Sequence, residues 1–287
     1  MKILKENELK TCFNSTTKMS LFGDSRTRQI YSSMVSYLTN KTYFLDTKTE
    51  HSGKHETEIP GMFQISYEWS NGFEYEKSNN PKYSLLQNFV SSLNNDIAHL
   101  KQNERLIGII GEHVLWKLSH CMHDNCIEGK KVVMIDREEN FVKEVFTTPF
   151  IEKVLPWIKT TLNQTEMVTI VFLGTHPALA NYIASTEVLN SERKVSSEYN
   201  RQLREVIEGI GSEQVKFMDA VHEIGMSPRP DQNPLIPDGT HLNVRNRRVD
   251  QADSHLAING ILTNTFCGNR LEKTSSEKTE DSEFCCF

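Results

Sequence analysis

Two apolar runs, Leu106–Ile110 and Val168–Leu173, constrain the fold of this chain more than any other feature of its sequence. Each run is followed at once by a glycine and lacks the strict polar alternation of a half-exposed strand. This pattern is typical of strands that are buried on both faces of a parallel sheet. Segments with apolar residues at helical spacing lie between such runs. We therefore predict an α/β fold, a three-layer α/β/α sandwich around a mostly parallel central sheet.

The other elements are predicted from the same two periodicities. Alternating β-forming residues predict strands at Met62–Trp69 and Val215–Met218. Residues 40–61 are polar and contain a glycine and a proline, so we predict a loop there. Helices are predicted at Tyr83–Leu100, Phe150–Leu162, Pro177–Ala184, Glu192–Ile207 and Asp250–Phe266.

A strand-to-helix turn is predicted at Gly23-Asp24-Ser25. Apolar residues before Gly23 indicate a strand, and those after Ser25 recur at helical spacing. A serine at such a turn is lifted from the sheet and lies beside helix N–H groups, as in several hydrolases. The alternative is ordinary turn chemistry, with Asp24 or Ser25 as a helix N-cap.

A second candidate stretch, Pro237–Leu242, lies just before the last predicted helix. Asp238 precedes His241 by three residues, which places both side chains on one side of a tight turn. The carboxylate can then hold one imidazole nitrogen as N–H, and the other nitrogen can take a proton from a serine. Asp-x-x-His by itself is also compatible with a solvated turn.

Composition excludes some classes of function. The net charge of −6 argues against general nucleic-acid binding, which needs a basic face. No apolar run approaches the roughly 18 residues of a membrane span, and the first ten residues lack the apolar centre of a signal peptide. Taken literally, that start implies a cytoplasmic protein. Six cysteines permit up to three disulfides.

Three parts of the chain are expected. Residues 1–18 form an N-terminal extension that lies over the domain, residues 19–270 form the catalytic domain, and residues 271–287 form a mobile charged tail. We predict no metal site. His120–Cys126 contains residue types that bind zinc, but it has no distant second pair of ligands, so a loop is favoured.

Gly-Asp-Ser after the first strand and Asp-x-x-His before the last helix, taken in that order, resemble the SGNH (GDSL-type) hydrolase superfamily. Four longer blocks are similar to its PC-esterase branch and, within it, to the luminal N-terminal domain of eukaryotic sialate O-acetyltransferases. They are G-D-S-R-T-R-Q-I-Y, G-E-H-V-L-W, P-D-G-T-H-L and I-L-T-N-T-F-C-G-N. Glu198-Tyr199-Asn200 also fits that family. The resemblance implies a location in the Golgi lumen or secretory pathway.

This resemblance implies a catalytic triad in which Ser25 attacks an acyl carbonyl, His241 takes its proton and Asp238 orients His241. The oxyanion hole would consist of the Ser25 N–H, Gly72 and donors after the third strand, at Gly111 and at the position two residues later. In the superfamily that last donor is the asparagine of a G-x-N element. Here Gly111-Glu112-His113 places His113 at that position, where a buried histidine bonded to backbone is an equal alternative.

Arginines lie close in sequence to both predicted site loops. Arg26 follows Ser25, and Arg245 and Arg247 follow His241, where they are expected to bind substrate. Guanidinium groups suit the phosphates and carboxylates of acetyl-CoA and of a CMP-linked sialic acid. For Arg28 the favoured alternative is a solvated helix face.

The expected function is acetyl transfer to a sugar hydroxyl through a Ser25 acyl-enzyme, and the resemblance implies that the acceptor is a sialic acid. Acetyl-CoA is the expected acyl donor, and no bound cofactor is expected. One alternative is hydrolysis of a carbohydrate or other ester by the same triad. Another alternative, from a different class, is a catalytically silent binding domain on the same fold.

Overall fold

A computed structural model describes residues 6–39, 54–69, 85–111, 138–175, 186–219 and 258–267. Its centre is a six-stranded sheet with the order β2-β3-β1-β4-β5-β6. All neighbouring strands are parallel except β2, which runs antiparallel to β3 at one edge. The strands are β1 (Thr17–Gly23), β2 (Lys54–Glu58), β3 (Gln64–Trp69), β4 (Arg105–Gly111), β5 (Val168–Leu173) and β6 (Val215–Met218).

Helices cover both faces of this sheet. They are α1 (Glu6–Cys12), α2 (Ser25–Thr39), α3 (Leu85–Ala98), α4 (Glu138–Val142), α5 (Leu155–Gln164), α6 (Thr186–Glu208) and α7 (258–267). Two π-helical stretches, Lys143–Thr147 and Phe150–Val154, lie between α4 and α5. Pro156 is the second residue of α5, which directly follows the second π-helical stretch, and the helical backbone continues through it.

Two hydrophobic clusters separate the three layers. On one face, Phe22, Ile110 and Phe172 of the sheet pack with α3, α6 and the α4–α5 region. On the other face, Leu21 and Ile109 pack with α1, α2 and α7. The alternation along each central strand therefore sends apolar side chains into both clusters. The predicted α/β/α sandwich with a mostly parallel sheet is confirmed.

The prediction of a loop throughout 40–61 is wrong at Lys54–Glu58, which forms the antiparallel edge strand β2. This strand contains no apolar residue and alternates between exposed and half-buried side chains, because only one side of it is covered. A turn around Gly61, whose φ is 70°, joins it to β3, and the Ile59 N–H donates to the Phe63 carbonyl at 2.8 Å.

A disulfide joins Cys12 at the end of α1 to Cys267 at the end of α7, with 5.5 Å between the two Cα atoms. Both cysteines are buried, as are Leu9 and Phe13, so this part of the expected N-terminal extension contributes to the core. The cross-link closes a loop of 255 residues. In the chain-entropy model such a loop stabilises the fold by about 5 kcal/mol.

Several predictions lie outside the described residues. They are the helix at Pro177–Ala184, the loop at His120–Cys126 and the tail at 271–287. None of the helices in the described ranges is both long and apolar enough to cross a bilayer.

Candidate active site

Ser25 lies at the carboxyl edge of the sheet, where β1 ends at Gly23 and α2 begins. Its side chain is partly exposed, whereas the preceding Asp24 is buried. Asp24 Oδ1 accepts the Arg26 backbone N–H at 2.9 Å, which is the geometry of a helix N-cap. The predicted strand-to-helix turn is confirmed. Asp24 therefore caps α2. The carboxylate that orients His241 is still predicted to be Asp238.

Two glycines allow the first turn of α2 to approach the strand ends closely. A Cβ atom at Gly23 would overlap the Thr27 hydroxyl and lie 2.9 Å from the Gly111 carbonyl oxygen. A Cβ atom at Gly111 would overlap the same hydroxyl. Gly111, predicted as an oxyanion-hole residue, therefore lies beside the β1–α2 turn and leaves the space that Thr27 fills.

Tyr67 of β3 fixes the backbone just before Ser25. Its hydroxyl donates to the carbonyl oxygens of Gly23 and Asp24, each at 3.1 Å, and its side chain is fully buried. Sequence reasoning missed this residue. The available signal was its position near the carboxyl end of a predicted strand, where side chains reach the edge that carries the site.

Arg26 extends from the β1–α2 turn toward β5. Its side chain is only 5% exposed, and its Nη1 donates to Thr175 Oγ1 at 3.3 Å. The guanidinium is thus held inside the protein, next in sequence to the predicted nucleophile. Its expected contact with substrate stays a prediction.

Asn200 of α6 binds both backbone polar groups of Thr175. Its Oδ1 accepts the Thr175 N–H, and its Nδ2 donates to the Thr175 carbonyl oxygen, each at 2.9 Å. Asn200 and Thr175 are both buried. The residue after β5 is therefore fixed by a side chain of α6, and its hydroxyl in turn meets Arg26.

The favoured prediction for Arg28, a solvated helix face, is wrong. Arg28 is 9% exposed, and its guanidinium lies over the Trp69 ring, 5.9 Å from the ring centroid. Trp69 ends β3 beside β1, so its ring can cover a side chain from the first turn of α2. A cation over an indole face is stabilised by the ring quadrupole, which compensates for the loss of water.

The other predicted site residues lie outside the described part of the chain, so their positions stay predictions. They are Gly72, His113, Asp238, His241, Arg245 and Arg247. Within the described ranges, no group of three or more His, Cys, Asp or Glu side chains could hold a metal ion.

The described part of the site can support chemistry at the Ser25 hydroxyl. The N-terminus of an α-helix carries partial positive charge from N–H groups that lack helical acceptors. A negative charge that develops on an oxygen beside Ser25 would lie in that field. Donors that are fixed before the reaction begins stabilise such a charge without reorganisation.

No protein-family model and no curated protein sequence matches the chain. Solved structures with a similar arrangement include a carbohydrate acetylesterase from Sinorhizobium meliloti, with 10% identity, a TM-score of 0.47, and coverage of 88% of this chain and 99% of that one. The native aryl esterase of M. smegmatis has 10% identity, a TM-score of 0.46, and coverage of 86% and 98%.

A third similar structure is a member of the lipolytic G-D-S-L family from Veillonella parvula, with 9% identity, a TM-score of 0.43, and coverage of 86% of this chain and 97% of that one. At these identities and TM-scores the similarity assigns no activity to this chain. The residues around Ser25 are the basis for the functional conclusion.

Proposed function

We propose that this protein is a serine esterase that cleaves acyl esters through a covalent intermediate on Ser25. The single observation that carries the proposal is the position of Ser25, partly exposed at the N-terminus of α2 on the carboxyl edge of the sheet. Loops at that edge carry the functional groups of open α/β sheets. Asp24, Tyr67 and Arg26 hold the backbone and side chains around it through buried hydrogen bonds.

The proposed reaction has two steps. The Ser25 hydroxyl oxygen attacks the ester carbonyl carbon while His241 takes the hydroxyl proton, and Asp238 holds His241 in the required tautomer. The carbon–oxygen bond to the alcohol then breaks, and His241 returns the proton to the leaving oxygen. Water repeats the sequence on the acyl-enzyme, which releases the carboxylic acid and restores Ser25.

Hydrolysis of an O-acetyl ester on a carbohydrate is our first choice of reaction. Water can accept the acyl group without a binding site of its own, so hydrolysis requires fewer binding sites than transfer to a second substrate. Transfer to a sialic acid hydroxyl, with acetyl-CoA as donor, is the second candidate. The resemblance to the luminal domain of sialate O-acetyltransferases supports it, and both reactions share the Ser25 acyl-enzyme.

Labelling with a fluorophosphonate probe tests the proposal, because the probe reacts with activated serines. We expect wild-type protein to be labelled and Ser25→Ala to be unlabelled with an unchanged Tm. Ser32→Ala is the matched control, since it removes a buried hydroxyl elsewhere on α2. Wild-type protein that is folded but unlabelled would contradict the proposal and favour a catalytically silent domain.

Measurement of acetate release separates the two reactions. The protein is incubated with an acetylated sugar, and separately with acetyl-CoA in the presence and absence of a CMP-linked sialic acid. Acetate release from the acetylated sugar is expected for hydrolysis. Acetyl groups that pass from acetyl-CoA to the sialic acid, with no acetate released from the acetylated sugar, would overturn hydrolysis in favour of transfer.

A further inference from the structure

We propose that Asn200 is a positioning residue for the reaction at Ser25 and that it acts through Thr175 and Arg26. The proposal rests on the esterase function above. It concerns a residue on α6 that is far from Ser25 in sequence and is not itself expected to touch substrate.

The first link joins Asn200 to Thr175. The Asn200 amide supplies both an acceptor and a donor, at 2.9 Å each, to the two backbone polar groups of one residue. Asn200 is 2% exposed, so water does not readily replace these bonds. A buried backbone group that loses its partner is destabilised, so the segment after β5 would shift rather than stay unpaired.

The second link joins Thr175 to Arg26. Thr175 Oγ1 accepts a hydrogen bond from Arg26 Nη1 at 3.3 Å, and the two residues are 149 positions apart. The backbone N–H of Arg26 is bound by Asp24 Oδ1. Both ends of Arg26 are therefore anchored, one at the cap of α2 and the other at the end of β5. Ser25 lies between Asp24 and Arg26, so its backbone depends on both anchors.

Close packing around Gly174 limits any relaxation of this arrangement. A Cβ atom at Gly174 would lie 2.7 Å from Asp219 Oδ1 and 3.3 Å from Asn200 Oδ1. Asp219 in turn forms an ion pair with Arg204 of α6. The segment after β5 thus lies against α6 with no spare volume, and a change at Asn200 is expected to be transmitted toward Arg26.

The test compares Asn200→Ala and Asn200→Asp with Gln202→Ala. Gln202 is on the same helix and is also buried, but it binds Thr147 and the Glu139 carbonyl oxygen, away from Ser25. We expect both Asn200 variants to lower kcat and the rate of fluorophosphonate labelling by about tenfold, with KM changed much less. Asn200→Asp keeps the acceptor for the Thr175 N–H but replaces the donor with a carboxylate oxygen, which repels the Thr175 carbonyl oxygen. We expect Gln202→Ala to lower Tm without changing kcat.

Thr175 supplies a second test if the Asn200 variants do not fold. Thr175→Val removes the acceptor for Arg26 and is expected to reduce the labelling rate, whereas Thr175→Ser keeps the hydroxyl and is expected to restore it. An equal loss of kcat in Asn200→Ala and Gln202→Ala, or equal labelling rates for Thr175→Val and Thr175→Ser, would overturn the proposal. Failure of the wild-type protein to be labelled would instead overturn the esterase function.

Discussion

Two polar regions of this protein are built in opposite ways. Around Ser25, side chains bind backbone groups, as Tyr67 does with the carbonyl oxygens of Gly23 and Asp24. Under α3, side chains bind mainly one another. Bonds to the backbone fix where a chain segment lies, whereas bonds between side chains satisfy polar groups that have lost water.

The second region, which we call the α3 cluster, consists of Ser20, Lys54, Ser66 and Asp96. Ser66 Oγ donates to Ser20 Oγ at 3.0 Å, and Ser20 Oγ donates to Asp96 Oδ2 at 2.8 Å. Lys54 Nζ donates to Asp96 Oδ1 at 2.8 Å. These groups line a small cavity under the edge of the sheet, together with Lys18, Met19, Glu56, Gln64 and His99.

This difference indicates which region positions a reactive group. In the α3 cluster, each polar atom gains a partner, but no loop is held in place. At the Ser25 turn, the bonds restrain the backbone on both sides of one partly exposed hydroxyl. We therefore expect the loss of a bond that restrains the Ser25 turn to alter rate and stability together, and changes in the α3 cluster to alter stability alone.

The largest effect is expected at the predicted orienting carboxylate. Asp238→Asn should lower kcat by about 10⁴-fold, because the amide would favour the wrong His241 tautomer. Steady-state kinetics and a thermal melt would measure rate and stability separately. If activity survives in a folded Asp238→Asn protein, the orienting group is a different residue.

A matched pair of tyrosines gives the next largest effect. Tyr67→Phe should lower the free energy of unfolding by about 1–3 kcal/mol, because the buried carbonyl oxygens of Gly23 and Asp24 lose the hydroxyl proton that they share. It should also reduce kcat, although the Asp24 oxygen keeps the Arg28 N–H. Tyr31→Phe removes a hydroxyl that bonds Thr57 at 2.8 Å in the same buried ring pair. Tyr31→Phe, the control, should lower stability without lowering kcat. A similar loss of kcat in both variants would show that the Tyr67 hydroxyl has no specific effect on the reaction.

Ser20→Ala tests the other side of the comparison. We expect a loss of about 1 kcal/mol in unfolding free energy, because Ser66 loses its acceptor and Asp96 keeps Lys54. The turnover rate should stay within about twofold of wild type, since the site is distant from the Ser25 turn. Urea unfolding and esterase kinetics on the same preparation would show this, and a large loss of rate would indicate that the α3 cluster also positions the site.

The smallest effect is expected at Glu68, beside the α3 cluster. Burial raises the pKa of the Glu68 carboxyl above its ordinary value of 4.5, against the opposite influence of Ser92 and Lys54. Because the folded-state pKa is higher than the unfolded-state pKa, the protonated carboxyl favours the folded state and ionisation destabilises it. Stability should therefore fall as pH rises from 4.5 through the folded-state pKa.

Glu68→Gln should remove that pH dependence. The pH-dependent change in unfolding free energy should be less than about 1 kcal/mol, because the carboxyl is only partly buried. Urea unfolding of both proteins from mildly acidic to neutral pH would measure the difference between them. A difference that is constant over the whole range would show that Glu68 ionises equally in the folded and unfolded chains.

The sheet could be predicted because two of its neighbouring strands, β4 and β5, consist mostly of apolar residues. Leu106–Ile110 and Val168–Leu173 are buried on both faces of the sheet, and their apolar composition indicates that burial directly. β2 could not be predicted in this way, because an edge strand with polar residues has no such pattern. Its formation depends on pairing with β3.

The residues around Ser25 were predictable only in part. The turn itself follows from local spacing, but the bond from Arg26 to Thr175 joins positions 149 residues apart. The burial of Arg28 on α2 depends on Trp69 at the end of β3, which is distant from it in sequence. Such contacts arise from the order of strands in the sheet, which local periodicity does not contain.

The most direct test of the central claim is to trap the acyl-enzyme. The protein would be mixed with an activated acetate ester and quenched in acid during turnover, and its peptides would be analysed by mass spectrometry. We predict one acetyl group on the peptide that contains Ser25 and none on that peptide from Ser25→Ala. Undiminished turnover by Ser25→Ala, or an acetyl group on another residue instead, would contradict the role of Ser25 as the nucleophile.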